Sequence, residues 1–247
     1  MISNRDSKFI KSLQLKKFRQ LENQFVVEGA KNVLELLQSD FEVIKIYVTK
    51  EFLIRNDQAL SQYSSLIIET KESDLTKVGT FANNNAALAV VNIPSARAID
   101  QSKSILAFDR IKDPGNLGTV IRIADWYGFD QIVCSPESVD CYNAKVISAS
   151  MGSFTRVQVH YSLLDEVLSV ANYAYGTTLQ GDNIHQLKFH EPAVIVFGNE
   201  SLGLDESLKK HLDQEVFIPG YGGAESLNVA ISTAVFCDNF RRLLKAQ

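Results

Sequence analysis

The feature that most limits the fold is a series of short, almost unbroken apolar runs in the second half of the chain, at 104–108, 131–134, 174–179, 193–197 and 216–218. A strand with one face in water alternates apolar and polar residues. A strand that is apolar throughout is covered on both faces, as in a parallel sheet between layers of helix. Helical periodicity fills the intervals, at 117–127, 144–149, 163–171, 206–212 and 227–245. The pattern predicts an α/β domain with a parallel sheet over 98–247.

The first 97 residues read differently. An amphipathic helix is expected over 7–20, a buried strand over 25–29, and a helix over 31–39 with Val33, Leu36 and Leu37 at helical spacing. Further strands are expected at 43–49, 66–69 and 86–92, with Asn83, Asn84 and Asn85 supplying turn chemistry between the last two. The polar, proline-containing stretch 94–104 lacks periodicity and serves as a linker. A small α/β domain over 1–97 therefore precedes the parallel-sheet domain.

Charge narrows the function. The 247-residue chain carries a net −4, which excludes a uniformly basic nucleic-acid binder. Residues 1–31 nevertheless hold seven basic side chains (Arg5, Lys8, Lys11, Lys16, Lys17, Arg19, Lys31) against Asp6, Glu22 and Glu28. A basic arm on an acidic body can grip phosphate locally while the rest of the surface repels it; the competing reading is a solvated helix face. Cys134, Cys141 and Cys237 lack metal-ligand spacing and read as small buried hydrophobes in a reducing compartment, so no metal is expected. No apolar run would span a bilayer, and Asn4, Arg5, Asp6 and Lys8 stand where a signal peptide needs an apolar core, so the expected location is the cytoplasm.

Three segments at strand ends contain residues that packing alone would not require. The first is 109–122, where Pro114 and Gly115 set a turn, Asn116 lies near a helix start, and Arg122 interrupts an apolar stretch between Ile121 and Ile123. The second, 197–204, follows an apolar strand, and Gly198 and Gly203 permit close backbone approach. The third, 218–229, places Gly220, Gly222 and Gly223 around Tyr221, costly in chain entropy unless the loop wraps something; Ser226 could cap the helix that follows. No G-x-G-x-x-G follows a strand and no P-loop is present, so neither a Rossmann dinucleotide site nor an NTPase has an anchor. His160, His185, His190 and His211 are scattered without a metal or triad pattern and are expected at the surface.

In this order and spacing the three segments resemble the three sequence motifs of the SpoU/TrmH RNA methyltransferases: Asn116-Leu117-Gly118-Thr119-Val120-Ile121-Arg122, then Phe197-Gly198-Asn199-Glu200-Ser201-Leu202-Gly203-Leu204, then Ile218-Pro219 through Glu225-Ser226-Leu227-Asn228-Val229-Ala230. The stretches 11–14, 16–19 and 25–31 resemble, more loosely, the family's small RNA-binding domain. The resemblance implies a deep trefoil knot near the C-terminus, where patterning alone would give an unknotted sheet. It also implies a homodimer and S-adenosylmethionine as methyl donor. By motif position Gly198, Ile218 and Leu227 would contact the donor through backbone, helped by Thr178, Leu179, Glu200 and Gly203. Asn116, Arg122, Glu200, Ser226 and Asn228 are the matching catalytic positions. The glycine-rich 220–223 departs from the family pattern and leaves the loop geometry open.

The activity implied is transfer of methyl to a ribose 2′-hydroxyl of structured RNA, ribosomal RNA ahead of tRNA, because a separate N-terminal domain exceeds what one tRNA loop would require. Lys11, Lys16, Lys17 and Arg19 would grip phosphates. Base methylation and a non-catalytic RNA-binding protein of the same fold are the competing readings.

Overall fold

The computed structural model describes residues 1–199 and 201–244. In chain order its first part forms α1 (Asn4–Ser12), α2 (Lys16–Glu22), β1 (Gln24–Glu28), α3 (Ala30–Leu37), β2 (Val43–Val48), α4 (Lys50–Arg55), α5 (Asp57–Leu60), β3 (Ile67–Glu69), α6 (Glu72–Val78) and β4 (Ala87–Asn92). There follow β5 (Ile105–Phe108), α7 (Pro114–Trp126), β6 (Gln131–Cys134), α8 (Ala144–Ser150), β7 (Gln158–Tyr161), α9 (Leu164–Ser169), β8 (Ala174–Asn183), β9 (Val194–Phe197), α10 (Glu206–Lys209), β10 (Gln214–Phe217) and α11 (Val229–Leu244). Two compact units result: Met1–Ser95 with Asp140–Thr155, and Ala96–Val139 with the chain from Arg156 onward.

The first unit is built on a four-stranded sheet of order β1-β4-β2-β3, with β4 antiparallel to both neighbours and β3 parallel to β2. Alternation along β1 sends Phe25 and Val27 to one face and Val26 to the other. The first face packs against Val33 and Leu36 of α3 and against Ile147 and Phe154. The second packs against Ile10, Leu13, Leu75 and Val78. Residues 140–155 complete this core: Tyr142 and Phe154 stand 4.6 and 6.3 Å, ring to ring, from Phe25.

The single helix expected over 7–20 is two helices, with Leu15 extended (φ −97°, ψ 129°) between them. The break has a chemical cause. The guanidinium of Arg19 donates from Nη1 to the carbonyls of Leu13 (2.8 Å) and Gln14 (3.0 Å), oxygens that a continuous helix would keep for its own ladder.

The second unit holds a six-stranded sheet of order β10-β8-β9-β5-β6-β7, parallel at every pairing. The expected α/β architecture with a parallel sheet is borne out. β5, β6 and β9 are buried along their whole length, which is why they read as unbroken apolar runs. β7 was not anticipated: it is a partly exposed edge strand, so its sequence Gln-Val-His-Tyr is mixed. The final helix starts at Val229 rather than 227, and Lys245 of the expected span lies outside the described residues.

Candidate functional site

Order in the sheet decides what meets at its carboxyl end. β5 sits between β6, which follows it, and β9, which arrives much later, so the chain reverses direction of progress at the β9–β5 pair. Such a reversal opens a crevice beyond the strand ends. The loop after β5 (loop I, 109–113) and the loop after β9 (loop II, 198–205) emerge side by side there; the loop after β10 (loop III, 218–228) leaves from the same end of the sheet.

Loop I feeds α7 through a firm start. Asp113 is the N-cap, accepting from the Asn116 N–H at 2.8 Å, and Pro114 occupies the first turn, where its missing N–H costs nothing. The Asn116 backbone donor is thereby used within the helix start, but its side chain is turned to other work: Asn116 Oδ1 accepts from Asn228 Nδ2 at 3.0 Å. That bond joins the first and third motifs across 112 positions. Asn228 also caps α11, its Oδ1 accepting from Ala230 N at 2.9 Å. Ser226, a candidate for that cap in the sequence, is exposed and outside the helix. Arg122 lies in the middle of α7, exposed, and α7 packs along α11.

Loop II folds back on itself. Asn199 and Gly203 exchange backbone hydrogen bonds of 2.8 and 2.9 Å, and Asn199 Oδ1 accepts from the N–H groups of Ser201 (2.9 Å) and Leu202 (3.1 Å). Gly203 has φ +70°, which glycine adopts without strain. A Cβ on Gly198 would lie 2.4 Å from Gly203 C and Leu204 N, so only glycine fits. Glu200 lies outside the described residues. Asn199 of the second motif and Arg110, to which the sequence gave no role, tie loops I and II together: Asn199 Nδ2 donates to the Arg110 carbonyl at 3.1 Å, and Arg110 pairs with Asp109 (2.7 Å) and Asp205 (3.4 Å). The Asp109 carboxylate raises the Arg110 guanidinium further above its usual range; hydrogen bonds from Ser207 and, after them, the positive charge of Arg110 hold Asp205 below its own.

The remaining expected donor contacts lie on the same end of the sheet. Thr178 and Leu179 are on β8, Leu179 exposed; Thr178 Oγ1 donates to the Gln180 carbonyl. Ile218 is half-buried just past β10, and Leu227 is exposed. Around Gly220, Gly222 and Gly223 there is open space, and Tyr221 between them is 93% exposed. Leu179, Leu202 and Leu227 are exposed large apolar side chains on β8, loop II and loop III. Among the described residues there is no group of three or more His, Cys, Asp or Glu placed to hold a metal, and no helix is long and apolar enough to cross a membrane.

In the first unit Lys11, Lys16 and Lys17 are exposed, Lys17 over the Phe18 ring at 4.8 Å. Arg19, expected beside them as a phosphate-gripping residue, is a correction: it is 2% exposed, with Nη2 2.5 Å from Asp140 Oδ2 and Nη1 on two carbonyls. Its charge is consumed inside the fold.

Comparison with known proteins agrees with this geometry. The model of the SpoU rRNA Methylase family matches residues 103–238, and that of the MRM3-like substrate binding domain matches 4–89. The chain is 32% identical over 243 residues to the 23S rRNA (guanosine(2553)-2′-O)-methyltransferase RlmP of Bacillus subtilis (strain 168), covering 96% of each. An AdoMet-bound rRNA methyltransferase from Sinorhizobium meliloti superposes with a TM-score of 0.87 at 25% identity, over 99% of this chain and 97% of that one. A structure from Porphyromonas gingivalis assigned to the TrmH family superposes at 0.86 with 31% identity, over 98% and 99%. The resemblance carried by the three motifs is thus borne out over almost the whole chain, and the chain belongs to the SpoU rRNA methylase family of S-adenosylmethionine-dependent RNA methyltransferases.

Proposed function

We propose that this protein methylates a ribose 2′-hydroxyl of large-subunit ribosomal RNA in the cytoplasm, acting as a homodimer with its C-terminal chain threaded through a trefoil knot. The observation that carries the site assignment is the Asn228–Asn116 hydrogen bond, which draws the third motif onto the start of the helix bearing Arg122. The 23S rRNA substrate of the Bacillus subtilis relative favours ribosomal RNA over tRNA. Exposed Trp126 on α7 and Ile231 on α11 supply an apolar surface on the two helices, suited to a second copy of the chain.

S-adenosylmethionine supplies an electrophilic methyl group on a sulfonium. The chain's part is to align, since in-line displacement draws much of its rate from orientation. By motif position Gly198, Ile218 and Leu227 would offer backbone to the donor, helped by Thr178, Leu179, Glu200 and Gly203, and Asn116, Glu200, Ser226 and Asn228 would orient the reacting groups. The 2′-hydroxyl must lose its proton as the bond forms. A guanidinium is a poor proton acceptor, so Arg122 serves instead to hold a phosphate and stabilise the developing alkoxide while phosphate or water takes the proton. Replacing Arg122 with Lys should cut kcat about tenfold or more while leaving donor affinity unchanged; near-normal turnover would remove the guanidinium role.

Lys11, Lys16 and Lys17 grip the RNA backbone. Converting all three to Glu should raise KM for RNA and reduce its salt dependence by a log–log slope of roughly 3, with S-adenosylmethionine binding intact. Mapping ribose methylation in ribosomal and transfer RNA from cells with and without the gene tests the substrate directly. Loss of a mark confined to tRNA would overturn the ribosomal assignment.

A further inference from the structure

Arg110 is the one non-glycine residue of the second unit held at positive φ (+51°) among the described residues. Glycine would take that conformation without strain, whereas a side chain there is strained. The arginine must therefore do something a glycine could not. Its backbone is fixed at both ends: N–H donates to Ser135 Oγ at 2.7 Å, and the carbonyl accepts from Asn199 Nδ2 at 3.1 Å. Its guanidinium forks onto both oxygens of nearly buried Asp109 (3.0 and 2.7 Å) and reaches Asp205 Oδ2 at 3.4 Å.

Asp109 belongs to loop I, its own N–H donating to the Phe197 carbonyl at the end of β9 (2.9 Å). Asp205 ends loop II, where its Oδ1 accepts from Ser207 N and Oγ at 2.9 and 2.7 Å. Loop II is therefore clamped at both ends to one residue of loop I, through Asn199 near its start and Asp205 at its close. Between those clamps lies the Asn199–Gly203 fold-back that shapes the donor cradle, with Gly198 packed against Gly203 just ahead of it.

We propose that Arg110 is a positioning residue for the methyl donor: its carbonyl and guanidinium together hold loop II in the donor-binding shape and lock it to the loop that leads to Asn116 and Arg122. Arg110 touches neither donor nor RNA in this role, which rests on the reading of loop II as the donor cradle. Specificity for the donor then depends on a residue outside the three motifs.

The test is titration calorimetry of S-adenosylmethionine on the full chain. Arg110→Gly keeps both backbone bonds and relieves the positive φ, removing the guanidinium alone. Donor Kd should rise about fivefold or more, the effect of losing one charge-assisted bridge in a partly exposed setting. The thermal midpoint should fall, because nearly buried Asp109 loses its partner, and kcat at saturating donor should change less than Kd; Arg110→Lys should recover part of the affinity. Asp205→Asn retains a competent N-cap and breaks only the 3.4 Å pair; it should weaken the donor in the same direction, and adding it to Arg110→Gly should cost little more. A folded Arg110→Gly protein whose Kd lies within about twofold of wild type would overturn the proposal. If that variant does not fold, unchanged affinity in Asp205→Asn overturns it instead. Wild-type protein that bound no donor would refute the reading of the cradle itself, a result distinct from wild-type binding with unaffected variants.

Discussion

The Arg19–Asp140 pair offers the sharpest test of how the first unit is held together. Arg19 is 2% exposed, and its guanidinium spends Nε and Nη2 on Asp140 Oδ2 (2.9 and 2.5 Å) and Nη1 on two carbonyls. Asp140→Ala removes the only carboxylate found on that guanidinium among the described residues. It also removes the Oδ1 that accepts from Tyr142 N at 3.0 Å. Leaving a buried charge without its partner costs about 3–5 kcal/mol. At about 2–4 °C per kcal/mol for a chain of this size, the thermal midpoint should fall by roughly 10 °C. Arg19→Met alone leaves Asp140, which is less buried, and should cost less. The double change Arg19→Met with Asp140→Leu should recover most of the loss, because a well-packed apolar pair replaces a buried ion pair at little net cost. Circular dichroism melts of the four proteins measure these differences. An Asp140→Ala midpoint within about 2 °C of wild type, or a double variant no better than the single, would refute the argument. An Arg19→Met protein with unchanged stability and weakened RNA binding would return Arg19 to the phosphate-gripping set.

Asn228→Ala should lose about 1 kcal/mol for the α11 cap and a similar amount for the bond to Asn116, whereas Asn228→Asp keeps the cap and loses the Nδ2 donor; activity should fall in both, stability mainly in the first. Gly198→Ala drives a Cβ against backbone at 2.4 Å, so loop II must open, and donor affinity measured by calorimetry should fall about tenfold or more. Burial holds the His160 imidazole below its usual range against the opposing hydrogen bond with the Arg97 backbone, and its Nε2 is buried without a partner. The fold thus favours neutral His160, the unfolded chain takes up the proton more readily near pH ~6.5, and this contribution is full above that pH and lost as pH falls below it. The midpoint drop between about pH 7.5 and pH 5.5 should shrink in His160→Phe.

What the sequence by itself determined was the part written in periodicity and in local chemistry. Unbroken apolar runs gave β5, β6 and β9, because a strand covered on both faces has no polar side to show. The helix expected over 117–127 is α7, although it starts at Pro114, which the sequence offered only as part of a turn, and the three motif segments carry the family. β7 was hidden because an edge strand is half wet and its pattern is mixed. Only the tertiary structure decided that residues 140–155 pack with the first unit: a short amphipathic helix carries no sign of which core will bury it, and Phe25 stands far away in the chain from Tyr142 and Phe154. The same holds for charge. Arg19 and Lys17 are alike in a count of basic residues, and what separates them is that one guanidinium meets a carboxylate over a hundred positions away while the lysine faces water. Arg110 was illegible for the same reason, since a backbone angle held by partners just after β6 and in loop II leaves no local signature in an Asp-Arg-Ile sequence.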